Sequence, residues 1–587
     1  MNIGSFSIID KKIIIRIHDR ICETEEELVL SALFQEIIQG ALGQLRKRNS
    51  YLLNIFGKTE IAPQDIKTLT EVLRFLTKMP GHLIPSVVPQ GAVFLRDPNL
   101  LNDFVEYLYN YWRSFDRFVI SDSTGKDLDK KPYRTFSMTI GQLTNLIRGA
   151  YRDIQENITG KHPRIYRQVA AGAEISTISV QKNIPFPAPV YEKLNQIPVI
   201  RQILLYPPLI LNPPMNKRTG RFERVAQNPL DLIDVKKEEW LCYPAKVGSL
   251  IIFIYFHNKF SDLGHSLCNL FQLAEDEDLT RKPDAVFVFG AEENALDSLS
   301  SFPTVFYDDE KNGLLSAAIP RRDEFGYFGY LKKMTLTLHN IIMMKKGRWP
   351  FHGALVRMFL QGGREAVILF VGDTGAGKSE TLEALRGIAE DTVQDLMIIA
   401  DDMGSLEITA EGKILGYGTE TGAFLRLDDL QPGYALGQID RAIIMSPNQV
   451  NARIVLPVTT FENIIAGWKI DFVLYANNYE DIDEDHPLLE RFESVDKAFS
   501  VFKEGTVMSK GTTTSTGIVH SYFANVFGPP QYKHLHEPLA RRFFEAFFEK
   551  GIFVGQMRTR LGIPGWERKG PEHAAKELLQ KILLKTL

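Results

Sequence analysis

Residues 366–380, AVILFVGDTGAGKSE, constrain this chain more than any other stretch. An apolar run, residues 367–371, opens into Gly372, Asp373, Thr374, Gly375, Ala376, Gly377, Lys378 and Ser379. This is a full match to the G-x-x-x-x-G-K-S phosphate-binding loop. In that pattern the glycines let consecutive backbone N–H groups turn toward phosphate oxygens, the lysine reaches the β and γ phosphates, and the serine hydroxyl meets Mg²⁺. The flanks fit as well. A short, wholly apolar run reads as a buried strand, and residues 380–388 read as a helix whose N-terminus faces the phosphate. Nucleotide phosphate binding is the first expectation; a decayed loop, or one for another phosphorylated ligand, is the alternative.

At 587 residues the chain exceeds one ordinary core, so two or three domains are expected. Lys and Arg total 68 against 72 Asp and Glu, a net charge of −4. That balance gives no drive toward nucleic acid or an anionic membrane. Cys22, Cys242 and Cys268 are too far apart in sequence for a disulfide framework or a metal cluster and suit a reducing, cytoplasmic setting. The first twenty residues lack the apolar core of a signal peptide, and residues 250–256, the most apolar run, are too few to span a bilayer.

The pattern changes along the chain. Residues 1–20 alternate like a hairpin around Asp10, Lys11 and Lys12, and residues 24–48 carry apolar side chains at helical spacing, with Thr24 and Glu27 placed as a capping box. A mostly helical N-terminal extension over 1–160 is expected, with a protein partner as its bland role. Residues 161–335 read as a mixed α/β domain with proline-rich turns, and 336–587 as an α/β nucleotide-binding core of strands and helices at short spacing.

Further candidate chemistry surrounds the loop. His352 heads an apolar run twenty residues before it, where a core histidine is the plainer reading. Lys345 and Lys346 read as no more than a cationic helix end that complements the dipole. The run ending Ala400, Asp401, Asp402 is an apolar strand closed by two acids, the arrangement by which such proteins hold a divalent cation, and one acid could also accept a proton from a hydroxyl. Residues 216–224, NKRTGRFER, form a basic loop in which Arg218, Arg221 or Arg224 suits an anion.

The loop together with the preceding His-Gly, the following Ala-Asp-Asp and Glu380 resembles HPr kinase/phosphorylase. Further on, residues 420–426 (ETGAFLR), 451–457 (NARIVLP), 472–477 (FVLYAN) and 521–528 (SYFANVFG) resemble, in order, segments of ATP-dependent phosphoenolpyruvate carboxykinase, and residues 503–517 resemble its mobile lid. The resemblance covers about residues 340–585. It implies a carboxykinase-like α/β nucleotide-binding core, a mixed α/β substrate domain and ATP as donor. Gly372 to Glu380 and Glu420 would form the nucleotide site, with Lys378 and Ser379 on the triphosphate and Mg²⁺. His352, Asp402 and Lys346 would be ligands of Mn²⁺, Arg453 would contact the transferring phosphoryl group, and Arg221, from Thr219-Gly220-Arg221, would hold a small anionic substrate.

Three readings follow. The first is a carboxykinase that converts oxaloacetate and ATP to phosphoenolpyruvate, CO₂ and ADP. The second is a kinase acting on a small-molecule or protein hydroxyl with Asp401 or Asp402 as base. The third is a nucleotide sensor without turnover.

Overall fold

The computed structural model describes residues 3–17, 22–123, 130–162, 169–388, 392–427, 430, 438–510 and 516–585. The chain divides into two compact units, Met1–Gln181 with Pro198–Tyr206, and Lys182–Ile197 with Pro207–Leu587. The whole is mixed α/β with mixed sheets. These divisions differ from those drawn at 160 and 335. The first unit runs on to Gln181 because the strand Ile175–Val180 belongs to its sheet, and position 335 falls inside one buried helix, Phe328–Lys345.

In the first unit the hairpin forms as its alternation predicts. Ile3–Ile9 and Lys12–Ile17 pair antiparallel with Phe6 opposite Ile15, and Asp10 takes a φ of 53° in the two-residue turn. Lys12–Ile17 then pairs parallel with Asp116–Ser123, that strand parallel with Ile175–Val180, and that one antiparallel with Val199–Leu205. Thr24 caps a helix by accepting from the Glu27 N–H at 3.2 Å. That helix, Glu25–Val29, stops early, because Ser31 caps a second one, Ala32–Lys47, through the Phe34 N–H at 3.0 Å. The helices Ala32–Lys47, Pro63–Leu76, Pro98–Arg113 and Pro132–Thr159 bury apolar faces in one core with Ile13, Ile15 and Val119 of the sheet.

The second unit holds two large sheets. One runs in the order Trp240–Val247, Leu250–His257, Ala285–Ala291, Leu314–Pro320, Val305–Asp309, Glu223–Val225. The other is centred on Trp349–Leu360, which pairs antiparallel with Arg364–Val371 and, along different parts of its length, with Val393–Ala400 and Met403–Ile408. Arg364–Val371 continues in parallel to Phe472–Asn477, and that strand to Phe553–Arg558. Leu382 and Leu385, with Ala574, Ala575 and Leu578, cover one face of this sheet. A smaller sheet joins Gly422–Arg426, Arg453–Pro457, Ile443–Met445 and Leu209–Leu211. Among the described residues no helix is long and apolar enough to cross a membrane.

Three histidines of this unit are sealed in its core, and this gives stability a pH dependence of definite sign. Burial pushes the imidazole of His265 down from 6.5 to about 4, that of His339 to about 4 and that of His536 to about 3. Above pH 6.5 each is neutral folded or unfolded. Below it the unfolded chain takes up protons that the folded chain refuses, so stability present above pH 6.5 is lost as pH falls toward 4. Each histidine withdraws about 1.4 kcal/mol per pH unit in that window. Urea unfolding at pH 7.5, 6.5 and 5.5 is expected to be level between the first two and to fall steeply at the third. His257, buried and lowered to about 4 as well, is a fourth contributor, so His536→Gln is expected to reduce the slope by about one quarter; an unchanged slope would place the effect elsewhere.

Candidate active site

The phosphate-binding loop sits where its motif requires. The buried strand Arg364–Val371 enters it, and the helix Lys378–Ile388 leaves it with the unpaired N–H groups of its first turn toward the loop. Gly375 and Gly377 have φ of +80° and +96°, and a Cβ at Gly377 would stand 2.6 Å from Thr559 Oγ1, so glycine is required there twice over. The loop is braced from behind. Thr559 Oγ1 donates to the Ala376 carbonyl at 2.8 Å, and Asn478 Nδ2 to the Gly375 carbonyl at 2.9 Å. Lys378 Nζ folds back to the carbonyls of Gly372 (2.6 Å) and Asp373 (2.9 Å), and burial lowers its pKa. Ser379 and Thr374 are exposed.

His352, on Trp349–Leu360, is buried, with Nε2 2.9 Å from Asp402 Oδ1 and Nδ1 against the Ala524 carbonyl. That carbonyl is aimed by a strained turn. Phe523, Ala524 and Asn525 all take positive φ, at 45°, 56° and 65°. Such conformations cost on the order of 1–3 kcal/mol each and gather at functional sites. Asp402 Oδ2 receives two ammonium groups, Lys332 Nζ at 2.9 Å and Lys333 Nζ at 2.5 Å. Burial works against ionisation of Asp402, but Lys332 and Lys333 outweigh it and hold the carboxyl well below its usual range. Lys333 is pushed the other way, its pKa lowered by burial.

For Asp401, next in the chain, burial raises the carboxyl pKa against the pull of Lys332, Lys378 and Lys333. Glu420 is buried under Lys332. Its Oε1 stands 2.9 Å from Nζ as an ion pair, and burial pushes its carboxyl up to about 7.

A cationic pocket adjoins these groups. The Tyr327 hydroxyl, whose pKa is raised by burial, hydrogen-bonds Arg453 and lies close to Lys332 and Arg218. Arg453 starts the strand Arg453–Pro457 and lies over the Phe424 ring at 5.5 Å. Phe527 collects three of the cluster's side chains: Arg218 at 5.3 Å, Lys333 at 4.7 Å and the His352 ring at 6.5 Å.

Two residues implied by resemblance lie elsewhere. Lys346 caps the C-terminus of Phe328–Lys345, half exposed, with Asp284 as its nearest acid at 3.6 Å. Thirteen residues of helix separate it from Lys333, about 20 Å along the axis. Arg221 points outward, 82 % exposed and bound to Glu223 at 2.8 Å, while Arg218 of the same loop turns in. Of the supposed lid, Thr506–Lys510 and Thr516–His520 form an antiparallel hairpin, and 511–515 lie outside the described residues. Lys332, Lys333 and Tyr327 escaped the sequence reading. The signal was present: two adjacent lysines in the middle of an otherwise apolar helix demand buried partners.

No three His, Cys, Asp or Glu side chains among the described residues gather closely enough to hold a metal ion. The donors that do gather are an imidazole nitrogen, a carboxylate and the amine of Lys333, whose pKa burial lowers. Of these donors the Asp402 carboxylate is the type that suits Mn²⁺. No protein-family model and no curated protein matches this sequence.

Proposed function

We propose that this protein transfers the γ-phosphoryl group of ATP to a small anionic acceptor, with the carboxykinase reaction as the leading case. The observation that carries the reading is the gathering of Lys378, His352, Asp402, Lys332, Lys333 and Arg453 beside a complete phosphate-binding loop in one unit. A sensor needs the loop alone.

In the carboxykinase case the carboxylates of oxaloacetate lie against Arg218, Lys332 and the Tyr327 hydroxyl. The bond to the departing carboxyl breaks, CO₂ leaves and its electron pair becomes the enolate. The enolate oxygen then attacks the γ phosphorus as the bond to the β-phosphate oxygen breaks, which leaves ADP and phosphoenolpyruvate. Lys378 and Arg453 neutralise the phosphoryl oxygens, where charge spreads in a loose transition state. Mg²⁺ at Ser379 and Mn²⁺ at His352, Asp402 and Lys333 would add charge neutralisation and polarise the acceptor carbonyl. No general base is required.

A hydroxyl kinase is the second reading, and Asp401 favours it. A buried carboxylate with a raised pKa near Lys378 of the loop has the properties of a base for an acceptor hydroxyl.

The deciding experiment follows phosphoenolpyruvate formation from oxaloacetate with ATP, Mg²⁺ and Mn²⁺, against an enzyme-free control for spontaneous decarboxylation. Product that disappears in Lys378→Ala supports the carboxykinase. ATP binding without it, joined by phosphorylation of a hydroxyl acceptor that Asp401→Asn abolishes, supports the kinase. Stabilisation by ATP with neither would leave the sensor.

Arg453→Ala is expected to lower kcat by about 10²–10³ with ATP affinity nearly intact. A weakened ATP affinity at unchanged kcat would remove Arg453 from the transferring phosphoryl group.

A further inference from the structure

The core of the first unit is not filled. It encloses a cavity of about 80 Å³, walled by Leu33, Ile37, Leu73, Val105, Leu108 and Ile147 from its four long helices. Protein interiors pack as densely as organic crystals, and voids beyond the size of a water are few. Each wall atom facing such a void forfeits its dispersion contacts.

Water is a poor occupant. An ordered water needs two to four polar partners, and three polar groups of the wall are engaged elsewhere. Trp112 Nε1 donates to the Ala171 carbonyl at 2.6 Å, the Tyr151 hydroxyl donates to Glu106, and Ser31 Oγ accepts from the Phe34 N–H at 3.0 Å. Three other wall residues, Leu28, Phe34 and Tyr109, are only half-buried, so the cavity approaches solvent on their side. There Tyr109 stacks on Tyr151 at 3.8 Å, with the Arg113 guanidinium 5.8 Å from the Tyr109 ring and that of Arg152 4.7 Å from the Tyr151 ring.

We propose that this cavity binds the hydrocarbon end of a short-chain carboxylate. The chain fills the apolar space and the carboxylate stays at the Tyr109 side, toward Arg113 and Arg152. Volume sets the length. The space is about half the ~150 Å³ of an engineered apolar cavity that takes benzene or xenon, which suits roughly four carbons rather than a ring. This inference is independent of the phosphoryl-transfer reading.

The test is calorimetric titration of the full chain with straight-chain carboxylates of two to eight carbons and with the matching alcohols. Affinity is expected to rise about four-fold per methylene until the cavity is full and then to level off, with the carboxylates tighter than the alcohols. Ala150→Leu, which places a larger side chain in the wall, is expected to abolish binding while the unliganded protein stays folded. Leu73→Ala enlarges the space and is expected to move the plateau to longer chains, so a poorly folded Ala150→Leu does not leave the question open. Absence of saturable binding, an affinity that climbs without a plateau, or a plateau that Leu73→Ala leaves in place would each overturn the proposal.

Discussion

Lys378→Ala is expected to remove turnover by three orders of magnitude or more, roughly, and to remove the stabilisation that ATP confers. The argument rests on where the amine sits. Nζ donates to the carbonyls of Gly372 and Asp373, and burial lowers its pKa against the pull of Asp373 and Asp402, so the site holds a poorly solvated cation whose direct partners are carbonyl dipoles. A triphosphate supplies full negative charge at that point, and the interaction is strong because water is largely excluded. The fold itself has little at stake, since the variant loses two hydrogen bonds of about 1 kcal/mol each. The expected pattern is a variant with near-normal unfolding in urea, no ATP-induced shift and no product. An ATP-induced shift equal to that of the unaltered protein would sink the assignment of the loop as a nucleotide site.

How far the sequence reached depends on the range of the interactions involved. The loop with its flanking strand and helix, the N-terminal hairpin around Asp10 and the acids closing Val393–Ala400 were legible because each is decided within about fifteen residues by glycine placement, alternation or an apolar run. A role for His352 required a resemblance, and its pairing with Asp402 at 2.9 Å joins residues fifty positions apart. The lysines went astray for a different reason. Lys345 and Lys346 are as conspicuous as Lys332 and Lys333, and charge type alone does not separate them. What separates them is depth, because the helix Phe328–Lys345 is buried along nearly its whole length and only its end reaches solvent. Lys346 at that end is solvated and pairs loosely with Asp284, Lys345 beside it reaches Asp308, and the lysines deeper in the helix must find a carboxylate within the core. The basic loop repeats the lesson. Its three arginines look equivalent in sequence, but Arg221 meets Glu223 two residues on, and Arg224 is taken by Glu310 and Asp308, leaving Arg218 to turn toward Phe527. The first unit's strands at Asp116–Ser123 and Ile175–Val180 went unread because parallel pairing leaves no local turn to mark it.

Asp402→Asn is expected to be the most damaging single change in the site, for stability as well as for chemistry. One carboxylate there answers three groups, Lys332, Lys333 and His352, and nothing else among the described residues pairs with Lys333. Removing its charge leaves two ammonium groups facing each other in a buried place, with Glu420 available only to Lys332. Breaking a buried ion pair from one side costs about 3–5 kcal/mol, since the orphaned charge is neither solvated nor compensated. Urea unfolding should register that loss, and Mn²⁺ should no longer raise activity. The stability part is separable from the chemistry by a double-mutant cycle with Lys333→Met. If the penalty comes from the orphaned ammonium, the double variant will be more stable than Asp402→Asn alone by a large share of the loss, while activity stays absent in both. Additive losses would mean that Lys333 is not held by Asp402, and the arrangement of the whole cluster would need to be redrawn.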